Sequence, residues 1–196
     1  MGVGEYLIIF AAILIGLSVA DLALSLHRLM RQGRAIRWDP IVPVTAFIVL
    51  CLILNIWWGL YRGFSELEQI QFIEFLPVVF TLLTLFLLAA AVLPDEKLEQ
   101  GSSLREYYLA NRVQFWGLFA FYLAIVTASG FYDGWREGWE AMEYFQRGIA
   151  NIVWMFLCIG LIFTKRMAAH WGVVIVSLVA IALSWFNAPL AMPAAA

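Results

Sequence analysis

Within GLSVADLALSLHRLMRQ (16–32), the polar residues Ser18, Asp21, Ser25, Arg28 and Gln32 recur at spacings of three and four. On a helix those spacings fall on one face, so an otherwise apolar segment carries a polar seam with a carboxylate inside it. Asp21 and Arg28 are seven residues apart, roughly 10 Å along the axis at ~1.5 Å per residue. An ionised carboxylate facing lipid costs at least ~2.5–3.5 kcal/mol, so the seam is expected to face the interior of a bundle. Two chemistries suit it. Either Asp21 is a structural group, neutralised by Arg28 or Arg112 or held protonated by burial, or it marks an ion or proton path, the default expectation for an intramembrane acid. At comparable depth Thr45, Thr84, Tyr122, Cys158 and Ser177 offer hydrogen-bond partners and no catalyst.

A second polar group, Asn55, Glu74, Ser129, Arg147 and Asn151, is expected nearer the opposite face. Glu74 and Arg147 fall at similar depth and are expected to pair, forming an outer vestibule with Asn55 and Asn151. The plainer alternative is interhelical hydrogen bonding, worth ~0.6 kcal/mol per contact in membranes. His27 and His170 fall near span ends on the same side. Two imidazoles at one depth can hold a haem, but SLHRLMR and KRMAAHW are basic interfacial contexts in which a surface histidine is expected. No other cofactor or metal is indicated. Cys51 and Cys158 both lie in apolar runs, where a thiol acts as a small hydrophobe, and C-x-x-C is absent. The chain holds no G-x-S-x-G, H-E-x-x-H, Walker or dinucleotide fingerprint, so it has no recognisable catalytic residue. A lipid-modifying enzyme with an idiosyncratic site is the enzymatic alternative.

These residues need helices to position them, and the composition supplies little else. Of 196 residues 64% are hydrophobic and 13% charged, against about 25% charged in soluble domains, and the mean hydropathy is +0.87. A bilayer core ~30 Å thick asks for roughly 20 apolar residues per helix. Six segments qualify, at about 6–29, 41–62, 70–93, 106–131, 144–164 and 169–188, giving one all-α integral membrane domain over 1–196. Pro40 and Pro43 open the second span and Pro94 closes the third. Pro77 is placed to kink that third span, and Ser103 with Glu106 forms an S-x-x-E capping box for the fourth. The first span starts at MGVGEY, whose acidic residue replaces the basic region of a signal peptide and whose Tyr6 breaks the myristoylation pattern; a retained span is expected.

Basic residues set the expected orientation. Arg28, Arg31, Arg34, Arg37, Lys97, Arg105, Arg112, Lys165 and Arg166 follow odd-numbered spans, and only Arg62, Arg136 and Arg147 of the twelve lie opposite. Loops 30–40, 94–105 and 164–168 are therefore expected in the cytoplasm and both termini in the periplasm. WWGLY, GFYDGWREGW and SWF stand at the outer ends of spans two, four and six, as interfacial aromatics do.

The stretches GLSVADLALSLHRLMRQGRAIRWDPIVPVTAFIVLCLILNIWWGLY and LREYYLANRVQFWGLFAFYL resemble a group of uncharacterised bacterial polytopic inner-membrane proteins. The shared order is a small-residue first span ending in a basic H-R-L-like turn, a W-D-P-like start to span two, a W-W pair at its end and an aromatic-basic YYLANR lead into span four. The resemblance implies a multi-pass inner-membrane location and brings no activity or catalytic residue. The functional expectation is an accessory membrane protein that binds a partner membrane protein or self-associates; the alternative is a small ion- or proton-conducting bundle using Asp21. Besides the bilayer itself, RLMRQGRAIRW suits anionic headgroups at ~1 kcal/mol per basic residue. No basic patch supports nucleic acid.

Overall fold

The computed structural model describes residues 2–64 and 67–187. It contains six α-helices: α1 (Val3–Gln32), α2 (Ile41–Phe64), α3 (Phe72–Val92), α4 (Leu104–Glu137), α5 (Ala141–Phe163) and α6 (Met167–Asn187). No strand occurs among the described residues. All six helices are long and apolar enough to cross a membrane, since even 21 residues reach ~31 Å. The helices match the six expected spans within a few residues, apart from α4, whose 34 residues overshoot the expected 106–131. Residue 188 and the flanks of the expected 1–196 domain lie outside the described residues.

Local chemistry explains the boundaries. The Asp39 carboxylate accepts the Ile41 backbone N–H (3.0 Å), and Pro40 precedes the first residue of α2. Pro77 sits inside α3, where its ring removes the N–H that would bond the Ile73 carbonyl. Ser103 is the N-cap of α4, but its side chain makes no capping bond. The expected box fails because Glu106 turns outward to Arg37 (3.5 Å). Reciprocal capping boxes form instead at Gln71/Glu74 and Glu140/Glu143.

The loops after α1 and α3 are bonded to each other. Arg37 N–H donates to the Ser102 carbonyl (2.8 Å), Leu104 N–H to Arg37 (3.0 Å) and Gly101 N–H to Ala35 (2.7 Å). Gly33 and Gly101 make this possible with φ of 51° and 87°, a region that costs other residues strain. Beneath the clasp lies the tight part of the core: Leu29, Ile41, Val42, Leu88, Leu93 and Leu104 are essentially inaccessible. At the opposite end Gly4 N–H donates to the Leu67 carbonyl (3.1 Å), and a Cβ on Gly4 would collide with the Phe64 carbonyl oxygen. Apart from Trp38 in the loop before α2, the large apolar side chains that remain exposed, such as Phe72, Phe156 and Phe163, lie on helices of membrane-spanning length.

Candidate functional site

A cleft of about 950 Å³ opens between the last turns of α2, the first half of α3 and the second half of α4. Its walls are apolar, with Leu60, Val78, Phe80, Phe121 and Ile125 among them. Its charged residues are Glu74, Asp133 and Arg136, which come from the first turn of α3 and the last turns of α4. Phe121 and Arg136 are fifteen residues apart on α4, roughly 22 Å. The cleft is therefore amphipathic along its length, charged at the helix ends and greasy toward the bundle middle.

Glu74 has two tasks. One carboxylate oxygen accepts the Gln71 backbone N–H (3.4 Å), closing the α3 cap where a negative charge also complements the helix dipole. The other oxygen pairs with Arg136. The Glu74 side chain is 20% exposed and that of Arg136 51%, so the pair forms the rim. Asp133 lies three residues before Arg136, exposed. It has neither hydrogen bond nor ion pair among the described residues. The guanidinium offers five N–H donors, and Glu74 cannot use them all.

Glu74 thus has a different partner from the one expected. Arg147 stacks over the Trp139 ring, 4.1 Å from its centroid, because the chain turns through Gly138 (φ 74°) and lays Trp139 against Gly134. The overshoot of α4 carries Arg136 to the α3 N-terminus in its place. Asn55 is exposed and Asn151 half-buried; neither lines the cleft, whereas Ser129 does.

The seam on α1 separates into two kinds of group. Ser18 donates to the Leu14 carbonyl one turn back (2.8 Å), as Thr45, Thr84 and Ser177 do within their own helices. Ser25, Arg28 and Gln32 reach across: Ser25 donates to the Asp95 carboxylate (3.0 Å), Arg28 meets the Asp95 backbone carbonyl (3.5 Å) and Gln32 accepts the Leu98 N–H (3.1 Å). Asp21 pairs with neither expected cation. Its Oδ2 is shut off and accepts no hydrogen bond, and Arg112 donates to the Leu109 carbonyl (2.6 Å) of its own helix. Asp95, beside Pro94, is the residue the sequence reading missed.

His170 is fully buried and not the surface histidine expected. Its Nε2 faces the Thr164 carbonyl (3.1 Å), which only accepts, so Nε2 carries the hydrogen. Nδ1 then accepts from the Tyr108 hydroxyl (3.0 Å), whose oxygen accepts the Trp116 Nε1–H (3.1 Å). One set of proton positions satisfies the whole chain. Both ring nitrogens are engaged, and His27 is exposed on α1, which does not touch α6. The two histidines do not come together. No group of three or more metal-ligating side chains occurs among the described residues. No family model, curated protein or solved structure matches this chain.

Proposed function

We propose that this multi-pass membrane protein binds one lipid-like amphiphile in the α2–α3–α4 cleft. The carrying observation is the segregation of Glu74, Asp133 and Arg136 to one end of an apolar cavity of about 950 Å³. That volume lies in the small-molecule range of about 300–1,000 Å³. A partner's spanning helix would need a groove ~30 Å long, so the accessory role takes a lipid as its first partner. The division of basic residues supports a cytoplasmic clasp end, with both termini and the cleft rim at the periplasmic leaflet, and the resemblance supports the bacterial inner membrane. The test is native mass spectrometry of the protein extracted in mild detergent. One retained lipid is expected, and Gly59→Phe should expel it without lowering the unfolding temperature, since Gly59 lines the cleft with open space where a Cβ would stand. Equal retention by both proteins would remove the cleft from the proposal.

A second reading is favoured by Asp21, whose shielded Oδ2 has no partner: a path for protons or small cations through the clasp end. Its test is flux in proteoliposomes, which Asp21→Asn should abolish.

A further inference from the structure

On the reading of the cleft as a lipid site, we infer that it selects a zwitterionic lipid with a primary ammonium, an ethanolamine-type aminophospholipid. The argument is the valence left open at the rim. Glu74 is committed to Arg136 and to the α3 cap, so it fixes the guanidinium over the cleft and leaves several N–H donors free. Those donors suit a phosphate oxygen, a fit that guanidinium makes in a planar, charge-assisted way. One turn away Asp133, in the field of Arg136, Glu74 and Glu137, offers a carboxylate with no hydrogen bond or ion pair among the described residues, and it suits an N–H⁺ donor.

The charge balance decides between headgroups. Two carboxylates and one guanidinium line the cleft, so an anionic phosphoglycerol headgroup satisfies Arg136 but meets unrelieved repulsion from Asp133. A phosphocholine headgroup adds no net charge, yet its quaternary nitrogen has no hydrogen to donate to Asp133. Only a phosphate with a primary ammonium a few bonds away fills both valences. Tyr132 lines the same cleft and could hold choline by cation–π attraction, which makes choline the sharpest competitor.

The experiment uses the whole protein in nanodiscs containing equal parts of ethanolamine, choline and glycerol phospholipids with identical acyl chains, followed by transfer to detergent and native mass spectrometry. The ethanolamine lipid should be enriched roughly tenfold over each competitor, the size of one charge-assisted hydrogen bond. Asp133→Asn should abolish most of that preference while a lipid is still retained, and Asp133→Glu should restore it. Equal retention of the three headgroups, or choline enrichment, would overturn the headgroup inference and leave the cleft as a lipid site. Retention of ethanolamine lipid that survives Gly59→Phe would instead remove the cleft reading, and this inference with it.

Discussion

The two ends of the bundle treat polar groups in opposite ways. At the clasp end Trp116, Tyr108, His170 and Thr164 close on one another with every donor matched to an acceptor, sealed among aromatic rings. At the other end Glu74, Asp133 and Arg136 stand at the rim of a cavity, and valence remains. A closed network has nothing left for a ligand, so it serves the fold. An open one beside an unfilled volume is where a molecule can be held. Buried polar chemistry in a membrane protein is therefore sorted better by what remains unsatisfied than by residue type.

The largest expected effect comes from breaking the closed network. Tyr108→Phe removes one hydroxyl and strands two groups, the Trp116 N–H and the His170 Nδ1, each worth about 1–3 kcal/mol when buried without a partner. The hydroxyl also bridges α4 to α6, which otherwise rests chiefly on α2. Unfolding in detergent should show a loss of about 2–4 kcal/mol. Lipid retained at the cleft, measured below the unfolding temperature, should be unchanged. Loss of lipid at full stability would show that the two ends are coupled.

The spans were legible because bilayer thickness and helical rise fix their length and the prolines fix their ends. The side-chain partners were less so. Glu74 was expected to pair with Arg147, and the overshoot of α4 past residue 131 brings Arg136 to it instead. His170 looked interfacial beside Lys165 and Arg166, yet it shares a helix face with the buried Val173 and Val174 at spacings of three and four, a signal that the basic context obscured. In the seam Ser18 and Ser25 are buried and Asp21 is half-buried. A serine or threonine in a helix has its own i−4 carbonyl within reach; Ser18, Thr45, Thr84 and Ser177 bond there, whereas Ser25 bonds across to Asp95.

Asp21 gives the next largest effect, with its sign reversed by the structure. Breaking a cation pair would cost ~3–5 kcal/mol, but Asp21 has no such pair, and its nearest carboxylate neighbour is Asp95, held one turn away by Ser25. Asp21→Leu should therefore leave the protein as stable or more stable by about 1 kcal/mol, the lower end of the cost of a shielded unpartnered oxygen. A clear fall in unfolding temperature would reveal a counter-ion bound there. A rise accompanied by loss of cation flux would place Asp21 among residues kept for function at a cost in stability.

The smallest effect tests whether everything at the clasp end matters as the His170 network does. Ser103 and Glu106 have the sequence of a capping box, and a working cap is worth about 0.5–2 kcal/mol. In the structure the serine side chain makes no capping bond, and Glu106 reaches Arg37 with side chains 74% and 70% exposed, where ion pairs contribute about 0–1 kcal/mol and weaken with salt. Ser103→Ala and Glu106→Gln should each shift the unfolding free energy by less than about 0.5 kcal/mol, and the Glu106→Gln effect should vanish in high salt. A larger, salt-independent loss shared non-additively by the two variants would mean that the box forms in solution. In that case the end of α4 is held by its cap, and the backbone clasp between Arg37, Ser102 and Leu104 contributes correspondingly less to joining the two loops.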